Sequence, residues 1–251
     1  LNLVLDIGNS SVKLYLFENN SIVFQEIFQE EELLNRLYLI DKKNNISNVI
    51  CSSVTNPLQK NLIEIFKESN VYDLLDKNLK IPFTNNYQSK KTLGQDRIAL
   101  ISSMMRGYAN QNNLIIDIGT CITYDFIDSN NVYHGGAISL GVAPRYKGFK
   151  NYTSNLPEIE FKEIKKIIGT TTEDSLHIGV LNGIIGEIKE YISNLKTIYK
   201  ELNVVITGGD SKLLLNKIKN AIFADRDFIA YGLNYIITVS YTHLRAHETD
   251  R

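Results

Sequence analysis

The sequence predicts an α/β protein made of two duplicated domains with a cleft between them. Two observations predict it. Residues 3–9 read LVLDIGN and residues 114–120 read LIIDIGT, which align without gaps, Asp6 on Asp117 and Gly8 on Gly119. After each, the same order follows: a strand turning back, a third strand, then alternating helix and strand. A repeat this long is not a solenoid unit, so the halves are expected to be domains, residues 1–112 and 113–238.

The elements follow from pattern. Residues 3–7, 12–17 and 21–28 are rich in β-branched and aromatic residues and bounded by turn residues, Gly8-Asn9-Ser10 and Asn19-Asn20, so they read as strands. EEELLNRLYLI has helical spacing over about 30–40. NVICSSV predicts a strand at 48–54, and Asn56-Pro57 opens a helix over 57–69. VYDLL is a short extended piece. A loop over 80–97 carries Pro82, Asn85, Asn86 and Gly94, and a helix over 95–109 closes the first half. The second half predicts strands at 114–118, 122–127 and 132–138. Helices follow after 141, over 172–200 and over 211–219, and the strand NVVITGG ends at Gly208-Gly209. The last residues, VSYTHLRAHETDR, depart from the Lys/Asn/Ile-rich style of the rest, so 239–251 are expected to be a non-native tail and are set aside. His243 and His247, four apart in that tail, read as an accidental pair rather than metal ligands.

The chain has 251 residues, 43% hydrophobic, enough for real cores. Its formal charge of −1, without a basic excess, gives no reason to expect a nucleic-acid partner. No apolar run reaches the roughly 18 residues that span a bilayer, and a strand starting at residue 1 leaves no room for a signal peptide, so no membrane partner is expected. Two cysteines, Cys51 and Cys121, make no disulfide framework and suit a reducing cytoplasm, the expected location.

Three segments carry chemistry. In DIGNSSVK, Gly8 allows a tight turn and close approach to a phosphate, and Asn9, Ser10 and Ser11 add small donors in a possible anion nest. Lys13 could neutralise phosphate oxygens and Asp6 could hold Mg²⁺. A plain hairpin is the usual meaning of one such loop. The second loop, DIGTCITYD, repeats the device: Asp117 again ends an apolar strand, where an unpaired carboxylate is costly, and Thr120 stands where Asn9 does. A turn-capping Asp is the bland alternative, but it leaves the duplication unexplained. The ungapped alignment sets Tyr124 against Lys13. The third segment, TGGD (Thr207 to Asp210), pairs glycines at a strand end, where a flat ligand such as adenine or ribose can lie on the backbone. Cys51 and Cys121 have no His in a recognisable partner motif, and His134 and His177 read as structural.

In this order the motifs resemble the acetate kinase–sugar kinase–Hsp70–actin superfamily, and within it the type III pantothenate kinase family. The marks are DIGNSSVK (6–13), CSSVTNP (51–57), LGQDRIAL (93–100), DIGTCITYD (117–125), GGAISLG (135–141), the Leu-Pro at 156–157, GTTTEDSLHIG (169–179) and TGGD (207–210). The resemblance implies two ribonuclease H-like (actin-like ATPase) domains and ATP-dependent phosphorylation of pantothenate to 4′-phosphopantothenate, the first step of coenzyme A synthesis. It implies ATP binding by Asp6, Ile7, Gly8, Asn9, Ser10, Ser11, Val12, Lys13 and Thr120. It implies pantothenate binding by Tyr87, Gly94, Gln95, Asp96, Arg97 and Thr172, with Asp96 as catalytic base. Asp117 matches the ligand of a monovalent cation, K⁺ or NH₄⁺, while Mg²⁺ would fall to Asp6. Thr172 matches a contact near a homodimer interface. Leu140 departs from the Pro common before Gly141, where the loop should still turn. Two other readings stand beside this one: a non-catalytic transcriptional accessory factor on the same fold, and a kinase for another hydroxyl compound such as a sugar. Asp6, Lys13, Asp96 and Asp117 together argue against the first, and Tyr87 with GQDR against the second.

Overall fold

The computed structural model describes residues 1–8, 11–53, 58–76 and 79–249, with backbone alone from 241. The predicted residues Asn9 and Ser10, residues 54–57 of CSSVTNP, and the side chains of His243 and His247 lie outside the described residues. The chain is α/β and divides into two compact units, each built on a sheet. One comprises Leu1–Ala109, Asn131–Tyr133 and the chain from Asp227 onward; the other comprises Asn110–Asn130 and His134–Arg226.

In the first unit, β1 (Asn2–Ile7), β2 (Val12–Glu18) and β3 (Ser21–Phe28) form an antiparallel meander that turns at Asn19 in the left-handed region (φ 55°). A 3₁₀ turn, Glu30–Glu32, leads into α1 (Leu33–Lys43), then β4 (Asn48–Ser53), α2 (Gln59–Ile65) and β5 (Asn70–Asp73). The sheet order is β3-β2-β1-β4-β5, with β4 parallel to β1 and β5 parallel to β4. Alternation along β1 sends Leu3, Leu5 and Ile7 into a core with Leu33, Leu37 and Ile40 of α1 and Leu62 and Ile65 of α2. Asn2, Val4 and Asp6 face the other way. After β6 (Thr84–Asn85) comes α3 (Gln95–Tyr108).

The second unit repeats the plan. β7 (Asn113–Ile118), β8 (Cys121–Ile127) and β9 (Val132–Leu140) lead to α4 (Val142–Tyr152) and the long α5 (Thr172–Ile198). β10 (Asn203–Thr207) and β11 (Ile222–Phe223) follow. The order β9-β8-β7-β10-β11 mirrors the first sheet, and β10 runs parallel to β7. The first residues of β9, Val132 and Tyr133, belong with the first unit and pair with Thr84 and Asn85 there. The duplication reaches residues that the motif comparison did not use. Asn48 Nδ2 donates to Asn2 Oδ1 at 2.8 Å, and Asn203 Nδ2 to Asn113 Oδ1 at 3.0 Å, at corresponding strand starts.

Two expectations are corrected. The helix expected over 211–219 is a 3₁₀ turn, Ser211–Leu214, after which Asn216 and Asn220 take left-handed backbone (φ 65° and 59°). Asn tolerates that conformation, which ends a helix. The chain after Asp227, for which pattern gave no element, forms α6 (Phe228–Thr249). It packs on α3 in the first unit at Gly232, where an added Cβ would lie 1.9 Å from the Ala99 carbonyl oxygen. No helix among the described residues is long and apolar enough to cross a membrane.

Candidate active site

Asp6 and Gly8 of the first loop lie at the C-terminal end of the parallel strands, the usual ligand edge of an open α/β sheet. Strand register places Lys13 opposite Asp6 on one side and Ser52 opposite it on the other. All three project from the same face. Lys13 Nζ bonds Asp6 Oδ2 at 3.0 Å. Ser52 is buried, and among the described residues its Oγ has no hydrogen-bond partner. Gly8 closes the hairpin by donating to the Ser11 carbonyl at 3.1 Å. Its backbone is not left-handed, and an added Cβ would meet Ser11 O at an ordinary 3.7 Å. Among the described residues, no other atom lies within 4 Å of that Cβ.

Helix α3 brings the predicted substrate segment to the same unit. Gln95 Oε1 accepts from the Ser53 N–H at 2.8 Å, tying the helix start to the end of β4. Asp96 lies in the first turn, where a carboxylate is favoured by the helix dipole, and its Oδ1 accepts from the Arg97 N–H at 2.9 Å. The carboxylate folds over Gly94, at which a Cβ would lie 2.2 Å from Asp96 Oδ1. Gly94 thus makes room for the Asp96 carboxylate. Arg97 is buried, and its guanidinium lies 5.6 Å from the Tyr87 ring centroid, a cation–π contact. Tyr87 in turn stacks on Tyr133 at 6.1 Å. Tyr87, Gly94, Gln95, Asp96 and Arg97 are therefore one cluster. At Cys51 burial first, then the charges of Asp6 and Asp73, push the thiol up to about 12, against the thiolate form.

In the second unit two glycine segments converge on Asp117–Thr120. Gly119 donates to the Cys121 carbonyl at 2.9 Å, closing the hairpin, and Gly141 N–H donates to the Thr120 carbonyl at 2.9 Å. A Cβ at Gly141 would lie 1.9 Å from Gly119 O, so this turn sits directly on the loop. Gly208, left-handed at φ 97°, lies against Asp117: a Cβ there would be 2.5 Å from Asp117 Oδ1. Among the described residues, nothing lies within 4 Å of a Cβ at Gly209. Burial lifts the Asp210 carboxyl above its ordinary value, with Arg226 opposing.

The register corrects the ungapped alignment. Ile7 pairs with Val12, but Ile118 pairs with Ile122, so the first loop is one residue longer. A one-residue slip changes the face of every side chain that follows. Thr123, not Tyr124, stands opposite Asp117. Tyr124 faces the core and donates to Glu187 Oε1 at 2.7 Å.

Pattern reading missed a polar cluster around Glu187. Its Oε2 accepts from Arg145 Nη2 at 2.6 Å and from Ser139 Oγ at 3.0 Å, while Arg145 Nε donates to the Leu140 carbonyl at 2.8 Å. Burial would raise the Glu187 carboxyl, but hydrogen bonds from Tyr124, Arg145 and Ser139 outweigh it and hold it low. This network fixes the Leu140–Gly141 turn. The residues are far apart in sequence, and no local spacing marks them.

Thr172 begins α5 and is exposed, beside a cavity of about 600 Å³ lined by Phe149, Leu156, Gly169, Thr170, Thr171 and Ser175 among others. Thr171 caps the helix by accepting from the Asp174 N–H at 3.1 Å. His177 is buried, with Nδ1 against Tyr146 OH at 2.8 Å, and His134 Nε2 meets Asp128 Oδ2 at 2.8 Å. Among the described residues no three or more His, Cys, Asp or Glu side chains gather as a metal cage.

Comparison with known proteins adds the following. A family model described as type III pantothenate kinase matches residues 2–194. The type III pantothenate kinase of Christiangramia forsetii is 40% identical over 243 residues, covering 96% of this chain and 100% of the relative. A solved structure described as a putative Baf family transcriptional activator from Campylobacter jejuni superposes with a TM-score of 0.65 at 23% identity, covering 96% of this chain and 99% of that one. A putative 2-dehydro-3-deoxygalactonokinase from Sinorhizobium meliloti gives 0.63 at 10% identity, covering 95% and 99%. At these identities the two structures speak for the fold alone.

Proposed function

The chain belongs to the type III pantothenate kinase family and is an ATP-dependent enzyme that phosphorylates pantothenate, and we propose that Asp96 is the base of that reaction. The observation that carries the assignment of Asp96 is the cluster of Tyr87, Gly94, Gln95, Asp96 and Arg97 at the start of α3, with the carboxylate seated over Gly94. The product is 4′-phosphopantothenate, made at the first step of coenzyme A synthesis.

Phosphoryl transfer to an alcohol needs positioning, charge neutralisation and an acceptor for the hydroxyl proton. An ordinary Asp, of pKa about 3.9, cannot deprotonate an alcohol in advance. Asp96 instead orients the hydroxyl and takes its proton as the O–P bond forms and the proton becomes acidic. Tyr87, Gly94, Gln95, Arg97 and Thr172 bind pantothenate. Residues 6–13 bind the ATP phosphates, with Lys13 supplying positive charge, and Thr120 is a further ATP contact. Gly208 and Gly209 suit the adenosine side.

Mg²⁺ suits Asp6: the ion accepts one or two carboxylates and otherwise keeps water and phosphate oxygens, and the unpartnered Ser52 hydroxyl stands on the same face. Asp6 would hold the ion, which would supply positive charge against the phosphate oxygens. Asp117 takes the monovalent cation, K⁺ or NH₄⁺. The common strand order of the two sheets supports duplicated ribonuclease H-like halves, the chain from Asp227 packing with the first of them rather than closing a second half at 238; the break in composition supports 239–251 as a foreign tail. Tyr152, Ile167 and Ile168 are large apolar side chains left exposed in the unit that carries Thr172, which supports a homodimer. The free cysteines fit a cytoplasmic setting.

ADP release measured with pantothenate and with a panel of sugars tests the function. Turnover confined to pantothenate is expected; turnover of a sugar instead, or of neither, would overturn it. A second test concerns the loop. Gly8→Ala is expected to keep its stability to within ~1 kcal/mol, since among the described residues its Cβ meets nothing closer than 3.7 Å, while the KM for ATP rises. Calorimetry and KM measured on one preparation check both halves, and a KM equal to wild type would show that no phosphate approaches Gly8.

A further inference from the structure

In the first copy of the duplicated hairpin a built-in cation faces the loop carboxylate: Lys13 Nζ stands 3.0 Å from Asp6 Oδ2. The second copy has the same ladder but not the lysine. Register puts Thr123 opposite Asp117 from β8 and Thr207 opposite it from β10. The Thr207 hydroxyl is engaged, donating to the Asp225 carbonyl at 3.1 Å. Thr123 is not: the residue is only 7% exposed, and among the described residues its Oγ1 has no hydrogen-bond partner. A buried hydroxyl left unsatisfied costs about 1–3 kcal/mol, and such groups in native proteins generally mark something that completes them. Thr123 projects from the same sheet face as Asp117, so the neutral oxygen and the carboxylate stand on neighbouring strands, with the Gly208 backbone against Asp117 Oδ1.

We propose that in the second copy a monovalent cation takes the place that the Lys13 ammonium holds in the first, with the Asp117 carboxylate and Thr123 Oγ1 as its side-chain ligands. This rests on the reading of Asp117 as a cation ligand and adds Thr123 to it. The chemistry matches the substitution. One positive charge is replaced by one, and a hydroxyl oxygen offers lone pairs to a hard cation. A large monovalent ion also makes none of the strict octahedral demands of Mg²⁺. The one-residue difference in loop length is what sets Thr123, rather than the core-facing Tyr124, at the ladder position.

The test reads cation binding rather than turnover. The melting temperature of the full chain, with and without Mg·ADP, is followed against KCl, with choline chloride holding ionic strength constant. Wild type is expected to show a saturable K⁺-specific rise. Thr123→Val, nearly the same shape without the hydroxyl, should raise the K⁺ midpoint by about tenfold or more, and Asp117→Asn should remove the response. Thr123→Lys should restore the arrangement of the first copy, so that K⁺ no longer shifts its melting temperature and turnover proceeds without K⁺. Should the buried lysine prevent folding, Thr123→Val still decides. A wild-type midpoint in Thr123→Val, with the response lost in Asp117→Asn, would overturn the role of Thr123 and leave Asp117 as ligand. No K⁺ response in wild type would overturn both, while leaving pantothenate phosphorylation standing.

Discussion

Asp96→Asn is expected to lower turnover by about 10²–10⁴-fold, the range for loss of a general base, with ATP affinity unchanged. The substitution is well controlled by its surroundings. Asparagine keeps the shape of the side chain over Gly94 and keeps an oxygen to accept the Arg97 N–H. The lost charge at the first turn of α3 costs about 0.3–1 kcal/mol of dipole interaction, too little to unfold the chain. A fall in turnover with normal melting and normal nucleotide binding therefore isolates the proton-accepting role. Turnover near wild type would remove Asp96 from that role and leave the cluster around it as a binding surface.

Gly208→Ala is expected to damage the second unit severely. The backbone there is left-handed, at φ 97°, a conformation that costs a non-glycine residue about 1–3 kcal/mol. The new Cβ would also lie 2.4 Å from Ile118 O and 2.5 Å from Asp117 Oδ1, so the loop must move. Urea unfolding should show a loss exceeding the backbone cost alone, and any folded fraction should bind K⁺ and nucleotide weakly because Asp117 is displaced. Gly209→Ala is the control, since among the described residues nothing lies within 4 Å of its Cβ and its φ is not positive. Equal stability of the two variants would mean that Gly208 does not press on the loop.

These expectations show which parts of the molecule are written locally. The two DIGN and DIGT hairpins, the α3 start at Gly94–Arg97 and the α5 start at Thr172 are coded by short-range chemistry: apolar alternation, small turn residues and caps. Each was legible in the chain. The α6 helix was not, because GLNYIITVSY is rich in β-branched and aromatic residues that disfavour a helix in isolation. Its form is decided by burial of Leu233, Ile236 and Ile237 and by the close approach at Gly232, which are tertiary facts. Over 211–219 the apolar spacing suggested a helix, and the local choice of Asn216 and Asn220 for left-handed backbone overrode it.

The site divides the same way. Asp6, Lys13, Asp96 and Asp117 stand in recognisable motifs. Glu187, Arg145 and Ser139, which hold the Leu140–Gly141 turn, meet across long stretches of chain and leave no local trace. Ser52 and Thr123 become visible only through register, since a hydroxyl in an apolar strand gains meaning from the residue paired beside it. The alignment error at Tyr124 has the same cause: sequence identity of the two loops hides a one-residue difference in hairpin length that strand pairing exposes.

The central claim is chemical, and its most direct measurement is phosphorus NMR of the reaction itself. Incubated with ATP, Mg²⁺, K⁺ and pantothenate, the protein should consume the γ-phosphate signal and produce a phosphomonoester coupled to the methylene protons of the pantothenate primary alcohol, with ADP in equal amount. ATP left intact, or hydrolysed to inorganic phosphate with pantothenate unchanged, would contradict the account.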